Sequence, residues 1–342
     1  MKARNILWTL VLLITVFAGC KKDDDDNPDP GMQDMEYFLV ANRGSSTVSV
    51  FDATTNEKTM DITLPAAGAD PTYLAFSEER GLFYVGDFAN QQLLAYDAMD
   101  FSLKNTISIQ EGAFHMWASD VADQLWVNNI VSKTTSVVDL TNHTVMETIG
   151  LPTGEISLSA DAAQHDVVIS ENGMYAYVSI LDGADVSYIV QYSTGDFSYM
   201  GHAMIGGDAH LLAHGDKVYG LAQNGNEVTV FNQGDLSVVD NLSITGPHGV
   251  AANQDYLFTA NLPDKSLSVI SLSNYDVVNT VAADYDVPHN IVTNEAGDKL
   301  FLSHSGGSST KVVFYEISGS NLTKLTDADS GTNPFGVLYY KY

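Results

Sequence analysis

The sequence contains one cysteine, Cys20, in 342 residues. Without a second cysteine, the chain excludes an internal disulfide, a multi-cysteine metal site and Cys-x-x-Cys-His haem attachment. Basic residues are also scarce, because 15 Lys and Arg stand against 43 Asp and Glu, for a formal charge of −28. Such a surface repels nucleic acid and anionic lipid, so we expect neither as a direct partner.

The long apolar runs of a membrane-spanning chain are missing too, since the run from Ile6 to Phe17 is short of the roughly 17–25 residues that a spanning helix needs. It follows Lys2 and Arg4 and precedes Ala18-Gly19-Cys20, which is the order of a secretory signal. We therefore predict that residues 1–19 are removed as a signal peptide. Loss of its two basic residues would bring the formal charge to −30.

The segment Phe17-Ala18-Gly19-Cys20 resembles the lipobox of bacterial lipoproteins. The resemblance implies diacylation of Cys20 and a membrane tether, and a plain signal peptide with a chance cysteine is the alternative. The stretch KKDDDDNPDPGMQDM that follows has too little apolar content to pack, so residues 20–35 are predicted to form a flexible stalk. Its position is similar to that of acidic export signals, which implies the outer membrane facing the cell exterior, with the periplasm as the alternative.

From Glu36 to Tyr342 the chain consists of short runs rich in Val, Ile, Tyr and Thr, broken by Gly, Asn, Asp and Ser. Seven of these runs are similar to one another, and we expect each to be the second strand of a blade. Each is followed by a polar loop and another strand, and most are followed by a hairpin and one further strand. The runs end in Val40-Ala-Asn42, Val85-Gly-Asp87, Val127-Asn-Asn129, Val178-Ser-Ile180, Leu221-Ala-Gln223, Thr259-Ala-Asn261 and Leu302-Ser-His304. Four short antiparallel strands every forty-odd residues predict an all-β fold, a seven-bladed β-propeller over residues 36–342.

The two ends of this region predict how the ring closes. The first run, YFLVAN (37–42), has no strand before it, and the last, PFGVLYY (334–340), has none after it. We expect the C-terminal strand to complete the first blade from the inside, because this leaves no open sheet edge.

A Pro-His phrase recurs in GPHGVAANQ (246–254) and VPHNIVTNE (287–295). Together with the Tyr/Phe-Val-x-Asn and Val-x-Val-x-Asp patterns, it resembles the YVTN repeat of bacterial surface-layer and extracellular propellers. The resemblance implies the propeller architecture for the whole region after the stalk. It implies no activity, because one fold hosts unrelated functions.

Aligning the seven copies on this phrase selects one position at the start of each innermost strand. The position is held by Phe335, Thr72, His115, His165, His210, His248 and His289. Five histidines on consecutive blades would therefore face one mouth of the central channel, and a concave mouth with convergent polar groups predicts a ligand-binding site. The alternative is that each histidine only fixes its own loop.

The loops after the second strand of each blade are expected to open at the same mouth. They add Asn42, Arg43, Asp87, Phe88, Asn129, Asp182, Asn224, Asn261 and His304, and Trp117 lies two residues after His115. Trp117 and Trp126 fall on adjacent strands of one blade, where packing is their expected role.

Three classes of function remain open for this mouth. Neutral imidazole is the commonest metal ligand, so the histidines could hold copper or zinc and support an enzymatic reaction. No Gly-x-Ser-x-Gly nucleophile elbow points to ester or lactone hydrolysis, so we do not expect an enzyme of that type. A scaffold that binds protein or glycan along its rim is the third class.

We favour ligand capture at the cell surface. A lipid tether, an acidic stalk and a rigid disc are similar to the surface propeller lipoproteins that pass cobalamin or other nutrients to outer-membrane transporters. The resemblance implies a small-molecule ligand over the mouth, an outer-membrane transporter as partner, and membrane contact only through the lipid on Cys20. We expect the protein to be a monomer.

Overall fold

The computed structural model describes residues 35–342. The predicted signal peptide, Cys20 and all of the predicted stalk except Met35 lie outside these residues. The described part of the chain forms 28 β-strands and no helix. It therefore contains no helix with the length and apolar content of a membrane span.

The strands group by blade as follows. Blade 1 contains β1 (Glu36–Asn42), β2 (Thr47–Asp52) and β3 (Lys58–Thr63), together with β28 (Pro334–Lys341); blade 2 contains β4 (Pro71–Ser77), β5 (Leu82–Asp87), β6 (Gln92–Asp97) and β7 (Leu103–Ser108); blade 3 contains β8 (Ala113–Ser119), β9 (Gln124–Asn129), β10 (Thr134–Asp139) and β11 (Thr144–Gly150). Blade 4 contains β12 (Ala163–Ile169), β13 (Tyr175–Leu181), β14 (Val186–Ser193) and β15 (Tyr199–Gly206); blade 5 contains β16 (Ala209–His214), β17 (Lys217–Ala222), β18 (Glu227–Asn232) and β19 (Val238–Ser243). Blade 6 contains β20 (Pro247–Ala252), β21 (Tyr256–Asn261), β22 (Ser266–Ser271) and β23 (Val277–Ala282); blade 7 contains β24 (Pro288–Thr293), β25 (Lys299–His304), β26 (Lys311–Ser318) and β27 (Asn321–Asp329).

Each blade is a four-stranded antiparallel sheet, and there are seven of them. The first sheet has the order β28-β1-β2-β3, so the last strand of the chain is the innermost strand of blade 1. It pairs with β1 from Glu36 opposite Lys341 to Asn42 opposite Pro334. The predicted seven-bladed fold and its closure by the C-terminal strand are both confirmed.

The core lies between neighbouring blades. The second and third strands of the blades, such as β5 and β6, are almost fully buried, whereas the outermost strands expose most of their side chains. At the closing seam, Phe38 of blade 1 stacks on Phe301 of blade 7 with ring centroids 5.1 Å apart. Aromatic rings bury a large apolar area and pair favourably at this distance, so the seam is held by packing as well as by the β28 ladder.

A β-bulge marks the start of the innermost strand in six of the seven blades. In blade 7, for example, the pairing shifts between Pro288 and Ile291, and equivalent shifts occur in blades 1, 2, 3, 4 and 6. In blade 5 the ladder runs without a shift, from Ala209 opposite Ala222 onwards. Bulges turn side chains out of the regular alternation, and here they lie where the innermost strands meet the propeller axis.

Candidate functional site

The strand pairing corrects the alignment of the seven copies at blade 3. Four residues face the polar residue that ends the second strand of their blade: Pro71, Ala113, Pro247 and Pro288. The next residue is Thr72, Phe114, His248 or His289. His115 therefore lies one position later, level with Tyr73 and Asn290. Matching histidine to histidine was wrong by one residue in this blade, because the sequence there has Phe114 at the shared position.

Seven flat side chains, one from each blade, nevertheless form a closed ring around the propeller axis, which we call the axial ring. Its members in order are His115, His165, His210, His248, His289, Phe335 and Tyr73. Neighbouring ring centroids are between 3.7 Å, for Tyr73 and His115, and 5.4 Å, for Phe335 and Tyr73. The five histidines, the histidine cluster, are all buried. The structure brings all five rings together at the axis, a convergence that their spacing along the chain did not predict.

Blade 2 contributes a residue that the alignment missed. Thr72 is buried, and its hydroxyl donates to the carbonyl oxygen of Ala113 at 2.9 Å in the neighbouring blade. Tyr73 supplies the ring instead and stacks on His115. Burial raises the pKa of Tyr73 well above its usual value, so it contributes a neutral phenol to the axis.

Four ring nitrogens of the histidine cluster are buried without a hydrogen-bond partner among the described residues: His115 Nε2, His165 Nδ1, His210 Nε2 and His248 Nε2. We call them the open nitrogens. Buried polar atoms are rarely left unpaired, and each costs about 1–3 kcal/mol. Four such atoms meet at one place, where an ion, a ligand or water would find partners.

The histidine cluster brings metal-binding groups together. One ring nitrogen from each of His115, His165 and His210 lies within 4.8 Å of the other two. A second group, with the same limit, combines Asp208 with His210 and His248. His210 belongs to both groups, so the two groups lie next to each other.

Asp166, the residue after His165, orients two members of the cluster. Its Oδ1 lies 3.0 Å from His115 Nδ1, and its Oδ2 lies 3.8 Å from His210 Nδ1. The same carboxylate accepts backbone N–H groups from Val167 at 2.7 Å and Leu211 at 2.9 Å. A carboxylate held by two amides fixes the imidazole of His115 so that its Nε2 points away from Asp166.

Burial determines the charge of these groups. It lowers the pKa of His165 and of His289 to about 3, helped by the charge of neighbouring His115. Burial also holds the pKa of His210 and His248 well below the usual value, with the other histidines adding to the effect. Asp166 is buried too, which favours its neutral form, but His115 and the bonded amides outweigh this and lower its pKa. At neutral pH His165, His210, His248 and His289 are therefore neutral imidazoles, and Asp166 is a carboxylate.

A cavity of about 420 Å³ opens on one side of the histidine cluster. It is lined at one end by His115, His210 and His248, and its walls continue along the innermost strands of all seven blades. Trp117 is part of this wall and is half-buried, whereas Trp126 is fully buried. The expected packing role is confirmed for both, because Trp126 lies in a core cluster and Trp117 packs against two such clusters while also lining the channel.

The polar residues predicted at the ends of the second strands lie elsewhere. Of the described residues that line the cavity, none is Asn42, Asp87, Asn129, Asn261 or His304. All five are buried and hydrogen-bonded within the protein. Asn42, for example, donates to the hydroxyls of Thr47 and Ser49 at 3.1 and 2.9 Å. Their predicted contact with a ligand stays a prediction. The structure shows only their hydrogen bonds inside the protein.

Two further loop residues also bond to nearby backbone. Asp182 Oδ1 accepts the N–H of Ser159 at 2.9 Å, and Asn224 Nδ2 donates to the carbonyl oxygen of Ala184 at 3.0 Å. Both contacts link a second-strand loop to a neighbouring connection. These two hydrogen bonds hold the loops in place.

Arg43 and Phe88 form a patch with Phe335, which is also a member of the axial ring. The guanidinium carbon of Arg43 lies 4.9 Å from the centroid of Phe335 and 5.6 Å from that of Phe88. Arg43 also makes a two-point ion pair with Asp70, at 2.8 and 2.6 Å, and this hydrogen bonding raises its pKa. Phe114 joins the patch, with its ring 5.8 Å from Phe335. The patch therefore combines three aromatic rings with one guanidinium group, which the ion pair with Asp70 keeps in position.

Sequence reasoning missed Tyr73, Asp166, Asp208, Gln223 and Asn290. Gln223 Oε1 lies 2.7 Å from His248 Nδ1, and Asn290 Nδ2 lies 2.6 Å from His289 Nδ1. Asp166 and Asn290 each follow a histidine of the cluster, and Tyr73 follows Thr72 at the start of its innermost strand. Asp208 comes two residues before His210, and Gln223 directly follows β17. The repeat itself therefore marked the positions. The signal was available in the repeat, but the residue types differ from blade to blade.

The fold matches solved propeller structures at low sequence identity. A protein from Lactobacillus plantarum has a TM-score of 0.71 and 14% identity, and the match covers 90% of this chain and 100% of that one. The periplasmic gluconolactonase of Pseudomonas aeruginosa has a TM-score of 0.71 and 15% identity over 89% and 99%. Hydrazine synthase of Kuenenia stuttgartiensis has a TM-score of 0.65 and 13% identity over 84% and 91%. At these identities the likeness concerns the fold alone.

No family model matches the sequence, and no curated protein matches it either.

Proposed function

We propose that this protein binds a divalent transition-metal ion, zinc or copper, in the histidine cluster on the propeller axis. The convergence of ring nitrogens from His115, His165 and His210 within 4.8 Å carries the proposal. Zinc binds imidazole nitrogen at about 2.0–2.1 Å, so two nitrogens of a tetrahedral site lie about 3.4 Å apart. Small rotations of the three rings would close the remaining distance.

The surroundings of the rings favour the same function. Metal-binding histidines commonly donate their second N–H to a carboxylate, which orients the ring and raises its basicity. His115 has this arrangement with Asp166. His165 and His210 are neutral at physiological pH, and neutral imidazole is the form that binds metal. The negative charge of Asp166 would also attract a cation to the site.

The donor set also suggests what a bound ion could do. Three histidines leave a fourth position of a tetrahedral ion open to water or another ligand. His115 and His210 line the cavity, so this position would face the channel. An ion held in this way polarises the ligand or the water bound to it, which is the basis of the enzymatic alternative.

Metal titration of two variants tests the proposal. The chelator-treated protein should bind close to one equivalent of Zn²⁺ or Cu²⁺ by calorimetry, with the bound metal counted by elemental analysis. His165→Phe/His210→Phe should abolish this binding, because it removes two of the three nitrogens. Phenylalanine suits the test, since Phe335 already occupies the axial ring.

The matched control removes two imidazoles outside the cluster. His143→Phe/His202→Phe should bind the ion as the wild type does, because His143 bonds Tyr84 and His202 bonds Tyr199. Thermal melts would show that both double variants are folded. A wild type that takes up no ion, or a cluster variant that binds like the control, would refute the proposal.

A second candidate function is capture of a small molecule on the patch of Arg43, Phe88, Phe114 and Phe335. The observation that favours it is the arginine held against two aromatic rings, which offers both stacking and a positive charge. Its setting would be a YVTN-type lipoprotein, tethered through Cys20 at the outer surface and passing cobalamin or another nutrient to a transporter. A cobalamin titration followed by absorbance should then show a spectral shift in the wild type and a weaker one in Arg43→Gln. An unchanged spectrum with both proteins would reject cobalamin as the ligand.

A further inference from the structure

The channel next to the histidine cluster has a volume of about 420 Å³, which lies within the usual range of small-molecule sites, about 300–1,000 Å³. Its walls come from the innermost strands and carry several apolar side chains. They include Phe76, Trp117, Leu212, Val250, Val292 and Leu338. These side chains offer an apolar molecule a surface to pack against.

Polar groups that lack a partner are concentrated at one end of this channel. Three of the four open nitrogens belong to His115, His210 and His248, which line that end. Polar groups farther along the wall are already bonded. Thr293 donates to the carbonyl oxygen of Ala252 at 2.9 Å, and the Tyr339 hydroxyl donates to Glu36 Oε2 at 2.9 Å. Among these side chains, only the histidines have ring nitrogens without a hydrogen-bond partner. Because those atoms are buried, a ring would have to turn slightly toward the channel to meet a ligand.

We propose that the channel binds a small molecule with an apolar body, the size of one or two aromatic rings, and a hydroxyl head directed at the histidine cluster. The body would pack between Trp117 and the aliphatic walls. The hydroxyl would donate to an open nitrogen, which removes the cost of leaving that atom buried and unpaired. A carboxylate head is disfavoured, because the buried carboxylate of Asp166 lies against the same histidines.

The inferred contact of the hydroxyl rests on the proposed metal function, whereas the packing of the apolar body does not. If an ion occupies the three-histidine site, the same hydroxyl would be its fourth ligand, since that position faces the channel. If no ion is bound, the hydroxyl would bond directly to an imidazole. The apolar walls are the same in both cases.

The test uses 2-naphthol and naphthalene as probes on the purified protein, measured by calorimetry and by quenching of tryptophan fluorescence. Both probes should bind the wild type, and 2-naphthol should bind about fivefold more tightly, which is the usual worth of one neutral hydrogen bond. Comparison with Trp117→Phe would isolate the signal of the channel tryptophan. His210→Phe should reduce the preference for 2-naphthol without abolishing naphthalene binding.

Channel-filling variants decide where the probes bind. Leu212→Trp and Val250→Phe, tested separately, should each lose both probes by at least tenfold, because they occupy the channel. Val238→Trp places the same bulk on the exposed strand β19 and should bind both probes normally. Folded filling variants that bind the probes like the wild type would overturn the inference, and so would a wild type that binds neither probe.

The same samples separate this inference from the metal proposal. Leu212→Trp leaves every histidine in place, so it should still bind Zn²⁺ while losing the probes. A wild type that binds 2-naphthol but no ion would support the channel ligand and refute the metal site. A wild type that binds the ion but neither probe would do the reverse.

Discussion

Two sets of buried polar residues recur around this propeller, and they differ in one respect. The first set, Asn42, Asn129 and Asn261, ends the second strand of its blade, and each amide contacts the hydroxyls found five and seven residues later. The second set is the histidine cluster, whose open nitrogens have no such partner among residues 35–342. Both sets are buried and repeat with the blades.

The difference separates a structural repeat from a site. A buried polar group with its hydrogen bonds made stabilises the fold modestly, whereas one left unpaired costs about 1–3 kcal/mol. The amides of Asn129 and Asn261 therefore account for themselves by holding each hairpin together, and Asn42 does so through its Nδ2, although its Oδ1 has no partner among residues 35–342. The imidazoles do not, and their convergence beside a cavity points to a ligand. Repetition alone would have grouped the two sets together.

The pH dependence of stability should show the largest contrast. In metal-free protein, the folded pKa of about 3 for His165 and His289 lies below the unfolded value near 6.5. The unfolded chain then binds more protons between these values, so stability is constant above about pH 6.5 and falls as the pH drops. At pH 5 each of the two histidines should cost roughly 2 kcal/mol. Denaturant unfolding at pH 7.5 and pH 5 measures the loss.

Other groups at the axis modify this slope, the change in the free energy of unfolding with pH. His210 and His248 shift in the same direction and steepen it. Asp208 opposes it, because burial raises its pKa and lets the folded state take up a proton. His165→Phe/His289→Phe should flatten the profile, and the exposed His202→Phe should leave it unchanged. Equal slopes in the two variants would mean that burial of the cluster is not the cause.

The amide set should respond in stability alone. Asn261→Ala removes contacts to Ser266 at 3.0 Å and Ser268 at 2.8 Å and leaves buried hydroxyls unpaired. We expect a loss of about 2–4 kcal/mol in the free energy of unfolding, with Zn²⁺ binding unchanged. His210→Phe should do the opposite. It should weaken the binding of Zn²⁺ and keep or raise the free energy of unfolding of the metal-free protein. The distinction between the amides and the histidines would be wrong if Asn261→Ala weakened Zn²⁺ binding as much as His210→Phe does.

The smallest effect concerns the positioning residue Asp166. Asp166→Asn keeps the size of the side chain but removes the charge that orients His115 and His210. Loss of such an orienting carboxylate typically weakens metal binding 10–100-fold. Competition with a chelator of known affinity measures the change, and Asp208→Asn, at the edge of the cluster, provides a comparison. An affinity within a factor of two of the wild type would show that Asp166 only supports the backbone.

Much of the architecture could be predicted because it is local and repeated. The seven-bladed count and the closure by β28 both follow from short strands recurring at a near-constant interval. The histidines could be placed at the axis for the same reason. What failed was the exact register in blade 3, where Phe114 and not His115 holds the shared position, since similar residue types can occupy neighbouring positions across a bulge.

The site itself was only partly visible in the sequence. Asn42, Asn129 and Asn261 looked as suitable for a ligand as the histidines did, because both sets are polar and recur with the blades. Their hydroxyl partners lie in the following strand, and only the register shows that each amide contacts two of these hydroxyls. Asp166 was missed because it differs from its counterparts in the other blades, and its role comes from His115, 51 residues earlier in the chain.

The sequence by itself determined the number of blades, the way the ring closes and the presence of five histidines at the axis, because these depend on the alternation and spacing of residues along the chain. Tertiary structure alone decided which ring nitrogens converge, which amides are satisfied and where the cavity opens. Those properties depend on distances between side chains from different blades. Such distances are set by bulges and by packing around the whole ring, and the sequence of one blade does not contain them.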